Sequence, residues 1–173
     1  MQFRFAAGTD APLLATMNFS LIRDVGLPNR LTVAALEQRL CHWLADRYQA
    51  VIFETGEYPL GYALFRDEPE HVYLRQFFVV REHRRHGIGR AALAWLKQNV
   101  WSGRERIRLD VLPENRAAIA FWHSVGFSDL TITMEANLAD DAAGKIDQAD
   151  PGKFPAERSS AKNQPANTLR RVA

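Results

Sequence analysis

Residues 72–96, VYLRQFFVVREHRRHGIGRAALAWL, constrain the fold of this chain more than any other stretch. Residues 72–80 are rich in β-branched and aromatic side chains, which predicts a strand. Ile88, Ala92, Trp95, Leu96 and Asn99 recur at i, i+4, i+7, i+8 and i+11, which predicts a helix. Between the two lies a basic turn, Arg84, Arg85, His86, Gly87, Ile88, Gly89, Arg90. A glycine turn feeding a helix leaves the first amides of that helix without intrahelical partners, and it presents the positive end of the helix dipole. Such a place holds phosphate. The surrounding arginines raise the positive potential further.

The remainder of the chain sets bounds around that stretch. A length of 173 residues predicts one domain with a self-sufficient core. The formal net charge of +2 gives no sign of nucleic acid or of an anionic membrane as a partner. No stretch approaches the ~18 apolar residues of a membrane span. The N-terminus, MQFRFAAGTDAP, has no apolar signal-peptide core. The single cysteine, Cys41, fits a reducing compartment, so the expected location is cytoplasmic. It falls in a predicted amphipathic helix, where a buried small side chain is expected.

In chain order, residues 2–6 predict a strand. Thr9 or Asp10, with Pro12 behind it, predicts the start of a helix carrying Leu13, Leu14, Met17, Leu21 and Ile22 on one side. Residues 26–29 break it. Thr32 predicts the cap of a second helix reaching about Tyr48, with Leu36, Leu40, Trp43 and Leu44 on its apolar face. Residues 50–54 and 60–65 predict a hairpin, and a further turn leads into the strand at 72–80. An antiparallel meander thus precedes the first crossover helix. Residues 106–112 predict another strand. A short helix follows with Ala118, Phe121, Trp122 and Val125 at helical spacing, ended by Gly126. Residues 130–138 predict a last strand. Residues 139–173 carry one aromatic among scattered prolines and charges, which predicts a disordered tail beside a 1–138 domain.

The glycine turn admits three readings. It can be an ordinary strand-to-helix turn. It can be a dinucleotide site, because residues 87–92 fit G-x-G-x-x-A and Asp110 follows on the next predicted strand. Against that, charged residues 81–86 separate the strand from the first glycine, and a doubly wound sheet does not begin with a meander. The third reading uses the intervening residues. Arg84-x-x-Gly87-x-Gly89 fits Q/R-x-x-G-x-G/A, and the stretch around it resembles the pyrophosphate-binding motif of the GNAT superfamily of acetyl-CoA-dependent N-acetyltransferases. Downstream, NRAAIAFWHSVGF at residues 115–127 resembles that family's N-x-x-A-x-x-F/Y-Y-x-x-x-G-F segment. The resemblance covers about residues 1–138. It implies an α/β (α+β) fold with a mixed, mostly antiparallel sheet flanked by helices, its strands splayed at the CoA site.

The resemblance implies a set of roles. Acetyl-CoA is the co-substrate, and no metal is called for. Arg84, Arg85, His86, Gly87, Ile88, Gly89 and Arg90 form the pyrophosphate turn, where a Cβ on either glycine would hold the phosphate away. Phe77, Phe78 and Val79 offer a strand edge to the peptide-like pantetheine arm, provided a bulge or splay leaves that edge unpaired. Asn115 caps the later helix and also bonds the arm, or caps alone. Asp110 stands where some relatives carry a carboxylate base, or is structural; Glu54, His83 and Gln76 are weaker candidates. A base is useful because an amine with a pKa of about 10.4 costs about 4.6 kcal/mol to deprotonate at pH 7. Trp122 occupies the place of the family's usual tyrosine acid. An indole N–H donates a hydrogen bond but releases no proton at useful pH. Trp122 is then a contact to the co-substrate or a core residue.

The reading is an N-acetyltransferase that moves acetyl to a primary amine by direct attack in a ternary complex. The acceptor, a small molecule or a protein amine, would enter past residues 23–31 and 54–60. A homodimer is compatible with this reading. The alternatives are a non-catalytic CoA sensor, which Trp122 favours, and, more distantly, a nicotinamide oxidoreductase.

Overall fold

A computed structural model describes residues 1–26 and 31–135. Residues 1–129 form one compact unit. The elements in order are β1 (Gln2–Phe5), α1 (Ala11–Val25), α2 (Val33–Ala45), β2 (Gln49–Thr55), β3 (Tyr58–Asp67), β4 (Val72–Val79), α3 (Ile88–Asn99), β5 (Ile107–Arg108) and α4 (Arg116–Ser124). The five strands make one sheet in the order β1-β2-β3-β4-β5. The first four pair antiparallel, and β5 joins β4 in parallel.

The sheet is buried on both faces, so its strands are apolar on both sides. Val51, Phe53, Ala63, Phe65, Val72 and Leu74 pack with Ala92, Leu93 and Leu96 of α3 and with Trp122 of α4. Ala50, Ile52, Tyr62, Leu64 and Phe78 pack with Leu14 and Met17 of α1 and with Leu36 and Leu40 of α2. Each large apolar side chain fully buried this way contributes about 1.5–3 kcal/mol. The caps expected from sequence form at two helices. Ala35 N donates to Thr32 Oγ1 at 3.2 Å, and Ala118 N donates to Asn115 Oδ1 at 3.1 Å. Asp10 sits at the start of α1, but its carboxylate is used elsewhere: it accepts two bonds from Arg4, at 2.8 and 2.9 Å, and one from Ala7 N at 2.8 Å.

A bulge in β4 shapes the site. Leu64 pairs with Gln76 and Phe65 with Leu74, so Arg75 is the extra residue. One inserted residue reverses the sidedness of everything after it. Leu74 faces the α3 core; beyond the bulge Phe77 faces that core and Phe78 the α1–α2 core. Arg75 and Gln76 both turn toward the α1–α2 side, where they meet Trp43 and Tyr62.

Several expectations are corrected. The strand predicted at 106–112 pairs only at Ile107–Arg108. Leu130, Ile132 and Met134 alternate as a strand would, yet residues 130–135 form none, and the three side chains are exposed. Residues 136–138 and the 139–173 tail lie outside the described residues, as do residues 27–30 of the expected acceptor loop. The second helix ends at Ala45, not Tyr48. Cys41 is exposed. One residue beyond buried Leu40, it is turned about 100° around the helix axis. On α3 the buried set is Ala92, Leu93 and Leu96, while Asn99 is exposed and donates to Trp95 O at 2.9 Å. Among the described residues no helix is long and apolar enough to cross a membrane.

Candidate active site

The site opens where the sheet stops being a sheet. β4 and β5 pair only at Val72↔Ile107 and Tyr73↔Arg108. Beyond that point the strands part around a cleft of about 260 Å³. Leu74, Gln76 and Phe77 line one wall, Leu109, Asp110 and Leu112 the other, and Asn115, Ala118 and Trp122 the α4 side. The structure therefore brings Phe77, Asp110, Asn115 and Trp122 together, although they lie far apart in sequence. The bulge at Arg75 gives a physical reason for the parting, since a bulge bends and twists its strand.

The basic turn follows β4. Arg85 holds φ 63° and Gly87 φ 78°. A non-glycine residue in the left-handed region is a strained arrangement that persists where the surroundings enforce it. Ala91 N is the first amide of α3 to be bonded, to Gly87 O at 2.9 Å. Among the described residues, the amides of Arg85, His86, Gly87, Ile88, Gly89 and Arg90 donate to no protein acceptor. A Cβ on Gly87 would meet nothing within 4 Å, so the protein leaves that side open. Gly89 differs: a Cβ there would lie 3.3 Å from the Phe121 ring. Its bareness serves the packing of α3 on α4 at least as directly as access for a phosphate.

The arginines divide by partner. Arg84 turns inward, donating to Val79 O at 2.8 Å and to Asp24 of α1, so it ties the turn to the fold. Arg90 reaches Ser124 Oγ at 3.2 Å and links α3 to α4. Arg85 and His86 are exposed and, among the described residues, unpaired. Asn115, a lining residue of the cleft, spends its Oδ1 on the α4 cap, which leaves its Nδ2 as a donor. Trp122 is 8% exposed and packs against Phe77, Phe121 and Phe127, with ring centroids 5.0–5.4 Å away. It is an anchor of the aromatic core whose edge lines the cleft.

Asp110 is exposed at the cleft rim and accepts a 2.6 Å hydrogen bond from the Tyr73 hydroxyl. Burial, and then the adjoining Asp110 carboxylate, raise the Tyr73 pKa above its ordinary value, so this phenol stays a donor. Of the weaker candidates, Glu54 is paired with Arg4 at 3.1 Å, Gln76 accepts from Tyr62 at 2.9 Å, and His83 is exposed in the turn. Sequence reasoning missed Tyr73 and the polar set beneath it, Asn18, Arg39 and Arg75. Asn18 had a readable signal: it is a polar residue on the face of α1 that carries Leu14 and Leu21.

The acetyltransferase (GNAT) family model matches residues 22–127. The chain belongs to that family. No curated protein matches the sequence. Solved structures share the fold, three of them as follows. A protein from Bacillus halodurans is 24% identical, with 80% of this chain and 99% of that one covered and a TM-score of 0.63. A predicted acetyltransferase from Clostridium acetobutylicum, solved with acetyl-CoA, is 20% identical over 80% and 97% at a TM-score of 0.64. An aminoglycoside N-acetyltransferase, solved with CoA, is 17% identical over 79% and 93% at a TM-score of 0.65. Membership in the GNAT family makes the chain an acetyltransferase and removes the dinucleotide reading. The meander that argued against that reading is the sheet observed here.

Proposed function

We propose that this GNAT acetyltransferase moves the acetyl group of acetyl-CoA directly to a primary amine held in the same cleft. The observation that supports this most is the junction of two features: a turn of amides without acceptors, and a cleft where two parallel strands separate. The turn at residues 85–90 offers converging N–H donors and the positive end of α3 to a diphosphate. The edge of β4 that faces away from β3 offers the backbone groups of Phe77 and the amide of Val79 to a peptide-like arm, Val79 O being held by Arg84, and Asn115 Nδ2 offers a side-chain donor beside it. Acetyl-CoA supplies an activated thioester; the chain positions it and handles protons.

In this reading Asp110 takes the proton of the attacking amine. Tyr73 holds its carboxylate by one oxygen and leaves the other free. Placing acceptor and donor in one cleft replaces a bimolecular encounter with a positioned one. Trp122 is packed too firmly, and is chemically too weak an acid, to protonate the departing thiolate. That proton comes from the acceptor ammonium or from water.

Thermal unfolding and thiol release test this. Acetyl-CoA at ~100 times its Kd adds about 2.7 kcal/mol of stability, which raises the Tm by about 5–10 °C. NAD should leave the Tm unchanged. Release of CoA thiol on addition of amines then marks turnover. Stabilisation without thiol release over a broad amine panel would favour a CoA sensor, the reading that Trp122 suggests.

A further inference from the structure

Arg75, which lines the cleft, and Arg39, which bonds the cleft-lining Asn18, have no counter-charge among the described residues. Arg39 of α2 and Arg75 of the β4 bulge both lie over the Trp43 ring, with Cζ 4.8 Å from its centroid in each case. Neither makes an ion pair among the described residues. Arg39 spends one nitrogen on Asn18 Oδ1, at 2.9 Å, while its buried Nε has no partner. Burial and the neighbouring charge of Arg75 push the Arg39 pKa below its ordinary value. Asn18 is fully buried and lines the cleft, and its Nδ2 has no hydrogen-bond partner among the described residues. A half-buried, uncompensated cation beside a second cation is unfavourable unless an anion arrives.

The geometry points to an acceptor amine that also carries an anionic group, a carboxylate or a phosphate, held by Arg75 and Arg39 while its nitrogen faces Asp110. This deepens the proposed acetyl transfer and rests on it. Asp110, bonded to Tyr73, and Arg75, two residues along β4 from Tyr73, both line the cleft, so a negative and a positive group border the same space. A guanidinium matches a carboxylate by two parallel bonds. A polycationic acceptor would meet two repelling charges in the same place.

The experiment compares matched amines in the thiol-release assay: amino acids against their C-terminal amides, O-phosphoethanolamine against ethanolamine, with spermidine and kanamycin as polycations. The anionic member of a pair should show a kcat/KM about tenfold or more above its neutral partner, the order expected for one charge-assisted contact. The carboxylate and phosphate arms identify which anion is used. Arg75→Gln and Arg39→Gln should raise KM for the anionic member about tenfold and shift that of the neutral member far less, so that the preference between the pair collapses. Arg39→Gln should also keep or raise the Tm, because it removes an unpaired charge; a lower Tm with KM unchanged would make Arg39 structural and overturn the assignment. Neutral or polycationic amines used as well as anionic ones would overturn it while leaving acetyl transfer intact. If no amine turns over, calorimetry with CoA present reads the same pairs, and equal affinities overturn it. Failure of acetyl-CoA to stabilise the protein would instead bring down the underlying reading.

Discussion

The two halves of the sheet are built to different rules. From β1 to β4 every strand has partners on the pattern of an antiparallel meander, and the side chains fill two cores. From Leu74 onward β4 loses its β5 neighbour, polar groups gather, and backbone amides go without acceptors. The first half spends its hydrogen bonds on itself. The second keeps them available, which a binding site requires and a stable fold tolerates only in small amounts.

The contrast can be broken most severely in the closed half. A Cβ on Gly61 of β3 would lie 2.1 Å from Phe78 O, a backbone atom that cannot step aside. Gly61→Val should cost about 4 kcal/mol or more, read by urea unfolding. A loss under ~1 kcal/mol would mean that the sheet is looser there than described. In the open half, Gly87→Glu should abolish measurable acetyl-CoA binding in calorimetry. It should cost only about 1 kcal/mol of stability, the strain of a side chain at positive φ.

Asp110→Asn comes next, with a loss of turnover of about a hundredfold at neutral pH. The loss should shrink as pH rises and the acceptor amine deprotonates by itself. A loss that is the same at every pH would make Asp110 structural. Tyr73→Phe, which releases the Asp110 carboxylate, should cost only several-fold in kcat, about 1 kcal/mol. The smallest effect returns to the closed half. Arg4 lowers the Asp10 pKa, chiefly through its hydrogen bonds. The stability this gives is present above the unfolded carboxylate's pKa and is lost as pH falls through the lower native value. Asp10→Asn should remove about 1 kcal/mol at neutral pH and flatten that acid-side slope.

The same division explains what was legible in the sequence. The meander, the helices and the glycine turn announce themselves by period and by punctuation, and α2 and α4 begin at their expected caps. What failed depends on partners that a period cannot name. Residues 130–135 alternate like a strand, but alternation gives a face and not a neighbour to bond with. Residues 106–112 read as a full strand because their side chains suit one, while the bulge opposite leaves most of them unpaired. The left-handed turn at Gly87 and the cap at Asn115 were readable from local motifs. The bond from Tyr73 to Asp110 and the meeting of Arg39 with Arg75 join elements distant in sequence, and only the folded register shows them.

A crystal structure with CoA bound tests the central claim most directly. The account predicts pyrophosphate oxygens within hydrogen-bond distance of the amides of residues 85–90, and the arm running between residues 76–79 and 109–112. Density for CoA elsewhere, with those amides facing only water, would contradict it.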